Sequence, residues 1–175
     1  MKNYITNTFC FMIVLSFSFQ SCQKIDDGEF VEPITIFEKI KGDWTLSSLT
    51  YVDDYAKSIN LEPYEYNLSG WFNFDNLSIS LSVDDNNKPT SFLINGSVPE
   101  IIPLNGFWNL SSPYPSTNLE PLLINLYDDV QNNNLIGTLN LTSIPGANNF
   151  MEIRLIHSSS QLPFSTYVFK FYPSN

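Results

Sequence analysis

The spacing of apolar and polar residues changes twice along the chain and marks three kinds of segment. The first is an unbroken apolar run, Phe9-Cys10-Phe11-Met12-Ile13-Val14-Leu15, continued by Phe17 and Phe19, with Lys2 ahead of it and Ser21-Cys22 behind. A basic start, a short apolar stretch and a small residue before a cut are the order of a secretory signal. The run is shorter than the ~20 apolar residues a stable bilayer span needs, so residues 1–21 read as a removable address. Residues 22–33 follow with Asp26, Asp27, Gly28, Glu29, Glu32 and Pro33 and little to bury. They read as an acidic, flexible tether.

A third pattern occupies 34–175. Thr35 and Glu38 have the spacing of a capping box, Gly42 sits where a helix would stop, and Ile36, Phe37 and Ile40 share one side. A helix of about two turns is expected there, closing the end of a larger apolar core. From Asp43 onward the period falls to two, most clearly in Leu77-Ser78-Ile79-Ser80-Leu81-Ser82-Val83-Asp84. Similar runs lie at 43–52, 69–75, 91–98, 104–111, 120–128, 134–143, 149–157 and 165–172. Turn residues separate them, among them Asp84 to Pro89, Asn95-Gly96, Asp128-Asp129 and Pro145 to Asn149. Short connections make neighbouring strands antiparallel, and no intervening helix provides for parallel crossovers. The expected fold is all-β, a sandwich or closed barrel, with a short helix in front.

Charge and cysteines narrow the setting. Eighteen acidic residues against eight basic give a formal net charge of −10, which disfavours nucleic acid and anionic lipid surfaces as partners. Cleavage after Ser21 would remove Cys10 with the signal and leave Cys22 at the head of the mature chain, so no internal disulfide is expected. A small residue directly before a cysteine, followed by a polar stretch, is the arrangement in which that cysteine is acylated, and Cys22 is the expected lipid attachment point.

Catalytic chemistry finds few residues. His157 is the single histidine, which removes His-based triads and multi-His metal sites. The sequence has no Gly-x-Ser-x-Gly, no Gly-rich phosphate loop ending in Lys and no Cys/His cluster. Neither an enzyme nor a cofactor is expected. Asp53-Asp54, Asp84-Asp85 and Asp128-Asp129 read as turn residues at strand ends, with calcium at 84–87 or 128–134 as the alternative. Trp71, Phe72, Trp108 and Tyr114 are the candidate binding aromatics if exposed together, and core residues otherwise.

A capped helix running into Gly42-Asp43-Trp44-Thr45-Leu46 resembles the opening motif of lipocalins. The chain from about 34 to 173 is also similar to lipocalin-like lipoproteins of Bacteroidota, through Gly106-Phe107-Trp108-Asn109-Leu110, Tyr114-Pro115-Ser116, the apolar strand 122–126 and the closing strand 165–171. The resemblance implies an eight- to nine-stranded antiparallel up-and-down barrel of the lipocalin (calycin) type. In it Trp44 plugs the closed end, Gly42 lets the backbone bend, and Arg154, the single arginine, is the candidate to lie over Trp44. It also implies a lipid anchor in the outer membrane, facing the surface or the periplasm. The Thr-Asp-Tyr turn of typical lipocalins is absent.

Three functional readings remain. A hollow barrel would bind a small apolar or amphipathic ligand. A filled barrel would serve as a scaffold whose exposed aromatics grip a glycan or a partner protein. An integral outer-membrane barrel would turn its apolar alternates to lipid, although several strands are shorter than the ~9–11 residues such a crossing needs.

Overall fold

A computed structural model describes residues 32–71, 76–96, 101–115 and 120–174, so the apolar leader and nearly all of the tether, with Cys22, lie outside the described residues. Helix α1 is Ile36–Ile40, shorter than the two turns expected. The capping box is present: the Thr35 hydroxyl accepts from the Glu38 backbone, and the Glu38 carboxylate accepts from the Thr35 N–H at 2.7 Å. That backbone bond, followed by one from the Thr35 hydroxyl, holds the Glu38 carboxyl below its ordinary range. Ile36 and Ile40 are fully buried, and Phe37 packs its edge on Trp108 with centroids 6.0 Å apart.

Nine strands follow: β1 (Gly42–Asp53), β2 (Glu65–Asn67), β3 (Ser78–Val83), β4 (Pro89–Asn95), β5 (Asn105–Leu110), β6 (Leu122–Tyr127), β7 (Leu135–Ser143), β8 (Met151–Ser159) and β9 (Leu162–Pro173). A second short helix, α2 (Asp54–Ser58), separates β1 from β2. Every pairing is antiparallel, and β9 returns to β1, so β1 and β3 to β9 close an eight-stranded up-and-down barrel with β2 as an extra strand on β1. The meander expected from the turn residues is therefore the fold. Two details differ. The segment read as a strand at 69–75 leaves the sheet at Ser69–Trp71, and α2 with β2 went unforeseen because 54–67 carries no period long enough to read.

Alternation explains the core. Leu46, Leu81, Phe92, Trp108, Leu126, Leu139, Ile153 and Phe169 point inward and are buried. Outward positions between them hold Ser80, Asn109, Asn125, Thr138, Asn140, Glu152, Arg154 and Lys170. A membrane-embedded barrel needs an apolar outer belt, and these polar outward positions run against the integral outer-membrane reading. In β1 the register slips between Leu46 and Ser48, and the extra residue keeps both Leu46 and Leu49 inside. Past that bulge β1 exchanges β3 for β2 as its neighbour.

The strands differ in length and in where they part from their neighbours, and that difference places the site. β1 and β9 are twelve residues long and β7 and β8 nine, whereas β3, β5 and β6 have six each. At the end away from α1, β1 has parted from β3 after Thr45 and β8 from β7 after Arg154, and β1, β9 and β8 continue paired with one another as a flange. Residues Ile34–Asn175 make up one compact unit.

Candidate functional site

At the α1 end the interior is sealed. The Trp44 indole N–H donates to the Ile40 carbonyl at 2.8 Å, and the Trp108 indole N–H donates to the Ser82 carbonyl at 2.9 Å. Each bond satisfies the one polar atom of a side chain that is otherwise enclosed by hydrocarbon. The Ile36 N–H reaches the Pro113 carbonyl, fastening α1 to the loop between β5 and β6. Gly42, at φ +109°, makes the bend from α1 into β1 that a side chain would strain. Gly106 is required for space as well: a Cβ there would run into the Tyr127 carbonyl and the Phe92 ring. Trp44 is thus buried at the α1 end, beside the turn at Gly42.

Arg154 does not lie over Trp44. In β8, Met151 and Ile153 face the interior, so parity turns Glu152 and Arg154 outward, where the guanidinium binds the Glu152 carboxylate at 2.9 Å. Burial alone would raise the Glu152 carboxyl, but hydrogen bonds from Thr142 and Arg154 outweigh it and hold the group below its ordinary value. Half-exposed as it is, this pair contributes little to stability.

The opposite end is where the chain leaves room for chemistry. Leu77, Ile79, Ile94, Leu139, Ile153 and Phe169 surround a void of about 20 Å³, over which Ile101, Ile102 and Leu104 of the β4–β5 connection fold as a plug. A void needs roughly 10–15 Å³ to admit a single water, and small-molecule pockets run to several hundred. Among the described residues, this part of the interior therefore has no room for a small-molecule ligand.

Above the plug, the inward face of the flange carries aromatic side chains instead of aliphatic ones. Leu49 pairs with Phe169 in the core row. Two residues further along, about 7 Å, the pairs are Tyr51 with Tyr167 and Leu155 with Tyr167; beyond them His157 and Asp53 each face Ser165. Tyr66 of β2 pairs with Tyr51. Five rings run on continuously: Tyr66 to Tyr51 (6.1 Å), Tyr51 to Tyr167 (5.3 Å), Tyr167 to His157 (5.8 Å) and His157 to Phe164 (6.0 Å). Tyr66 is 40% and Phe164 48% exposed, and the three between them are half-buried. His157 Nδ1 lies 3.2 Å from the buried Ser165 hydroxyl. The Tyr51 phenol is pushed above its ordinary 10.0, by burial first and then by Asp53, Tyr167, Asp54 and Tyr66.

The reverse side of the same flange is a shallow groove of about 430 Å³ between Thr50, Val52, Lys57, Arg154, Ile156 and Val168. Its cations are engaged, Lys57 with Glu65 at 3.6 Å and Arg154 with Glu152.

The aromatics singled out from the sequence are not brought together. Trp108 is 1% exposed in the sealed end, so it belongs to the core and not to an outer face. Trp71 is 76% exposed in the connection between β2 and β3, and Tyr114 is 41% exposed at the α1 end beside Pro113. Phe72 lies outside the described residues. The carboxylate pairs build turns: Asp84 accepts from the Asn86 and Lys88 backbone, Asp129 from Gln131, Asn133 and Asn134, and Asp53 caps α2 through Ala56. Among the described residues no three His, Cys, Asp or Glu side chains gather as a metal site. Tyr51, Tyr66, Phe164 and Tyr167 were missed. Their signal was the row Tyr167, Phe169, Phe171 opposite Leu46, Leu49, Tyr51, in which the aliphatic partner gives way to a tyrosine only at the flange.

Comparison with known proteins places residues 18–172 in a match to a family described as a domain of unknown function, DUF5004. No curated protein and no solved structure matches the chain.

Proposed function

From the premise that the chain belongs to the DUF5004 family, we propose that it is a non-enzymatic, lipid-anchored binding protein of lipocalin-like design, held at the outer membrane through Cys22 and taking a small amphipathic ligand across its mouth. The observation that carries the reading is the contrast between an interior with about 20 Å³ to spare and a mouth bearing five linked, partly exposed rings. Rings supply apolar area at little entropic cost, and the Tyr51, Tyr66 and Tyr167 hydroxyls together with His157 supply polar atoms at their edge. A ligand lying there covers exposed aromatic surface without opening the core.

The anchor rests on the leader, on Ser21-Cys22 and on the acidic stretch after it. Growth with an alkyne-bearing fatty acid is expected to label the native protein and not Cys22→Ser; an unlabelled native protein removes the anchor from the account. Ligand capture is tested with full-length Cys22→Ser protein and decyl glucoside. Binding that disappears in Tyr167→Ala is the expected result, and saturation that leaves the tyrosine resonances unmoved contradicts it.

A second reading keeps the filled barrel as a scaffold and makes Trp71 the contact for a glycan or partner protein, supported by its 76% exposure. It predicts that Trp71→Ala abolishes capture while Tyr167→Ala does not.

A further inference from the structure

At the end of the barrel away from α1 the wall splits at two places, and one of the two splits leaves an edge open. On leaving β3 after Thr45, β1 takes β2 as its neighbour from Thr50 to Val52. On leaving β7, β8 takes none. The last ladder pair between them is Asn140 with Arg154; beyond it residues 135–139 of β7 pair only with β6, and residues 155–159 of β8 only with β9. Among the described residues no other backbone bond reaches either stretch.

A strand edge presents a row of unpaired N–H and C=O groups, and proteins ordinarily guard such rows with lysine, proline or a bulge. Neither stretch holds a lysine, an arginine, a carboxylate or a proline, and Leu135, Ile136 and Ile156 are exposed at 53%, 37% and 37%. Of the two edges β8 is the regular one. The extra residue of its bulge with β9 falls in β9, at Phe164, whereas β7 itself holds the extra residue of its bulge with β6, at Ile136.

We infer that the free edge of β8 at 155–159 is a docking site for an extended peptide segment of another protein, which joins β2, β1, β9 and β8 as a fifth strand. Alternation assigns the contacts. One set of the segment's side chains lies on the inward side beside Leu155 and His157, and the other extends the outer floor of Val52, Val168 and Ile156. Apolar, β-branched side chains suit both sides. The formal net charge of −10 selects a segment with basic ends and opposes a second, equally acidic copy of this chain. The inference goes beyond the mouth as an amphiphile site and does not need it, because backbone pairing and not ring contact holds the partner.

The probe is a nine-residue peptide with alternating valine and threonine at its centre and two lysines at each end, titrated into full-length Cys22→Ser protein. Its control is the same peptide N-methylated at the five central residues, which keeps charge and side chains and loses the backbone donors. The unmodified peptide is expected to bind at least about tenfold more tightly than the control and to slow hydrogen exchange at residues 155–159. Ile156→Lys places a guarding charge on the edge; it is expected to weaken binding about tenfold and leave the circular dichroism melting curve in place. Equal binding of the two peptides, binding that leaves exchange at 155–159 unchanged, or no binding at all overturns the inference. So does parent-like binding by Ile156→Lys. Sedimentation that shows a dimer protected at 155–159 also overturns it, and gives the edge to a second copy.

Discussion

The two ends of the barrel follow one alternation rule and end in opposite states. At the α1 end, strands of similar reach close around Trp44 and Trp108, both indole N–H groups find carbonyls, and a capped helix seals the remainder. At the other end β1 parts from β3 and β8 from β7 while β1, β9 and β8 stay paired, and tyrosines stand on their inward face where leucines stood one row below. Inward orientation gives burial only while the wall is continuous. Where the wall parts, the same side chains become a binding surface.

The largest expected effect breaks this comparison at its closed end. Trp108→Ala should cost ~3–5 kcal/mol in denaturant unfolding, since it opens a cavity beneath α1 and orphans the Ser82 carbonyl. Tyr167→Ala, half-exposed, should cost about 1 kcal/mol. Equal losses would mean that the mouth is as much core as the base.

Next comes Gly106→Ala, expected to cost roughly 1–3 kcal/mol because its Cβ meets the Tyr127 carbonyl and its φ of +154° strains any side chain. A variant as stable as the parent would show that the β5–β6 approach is looser than described. Both changes act on the walls of the barrel, not on its rim.

Alkali sharpens the comparison from the mouth side. Tyr51 is raised in the folded protein, so its contribution is complete below the ordinary phenol value of 10.0 and is lost as pH rises through the higher folded value. Absorbance at the tyrosinate band should show one late-titrating phenol, absent in Tyr51→Phe. Its absence in the parent would contradict the enclosed, negatively charged setting of that ring.

The smallest effect belongs to the cap of α1. Glu38 is lowered, so its contribution is complete above the ordinary 4.5 and fades as pH falls through the lower folded value. Glu38→Gln should therefore reduce the melting temperature slightly at neutral pH and show less acid dependence than the parent. An acid limb identical in both proteins would assign that limb to other carboxylates such as Glu152.

Much of the fold was legible in advance. Thr35 and Glu38 announced α1, the alternation of Leu77 to Val83 announced β3, and turns such as Asp84 to Pro89 announced antiparallel order. Each of these depends on residues close in sequence. What could not be read depends on comparing strands far apart: the bulge at Ser47, the switch of β1 from β3 to β2, and the parting of β8 from β7 beside the row of Tyr51 and Tyr167. Arg154 illustrates the same limit, since its distance from Trp44 follows from which parity of β8 faces inward, and that is fixed by Met151 and Ile153 packing against Phe171 and Phe169. Trp108 reads in the sequence as either surface or core, and only its place opposite Leu126 decides.

The most direct test of a filled barrel with a working mouth is nuclear magnetic resonance of ring and methyl signals during titration with decyl glucoside. The account predicts shifts at Tyr51, Tyr66, Leu155, His157 and Tyr167, with Trp108, Leu81 and Leu126 unmoved. Shifts centred on those last three would place the ligand inside the barrel and contradict it.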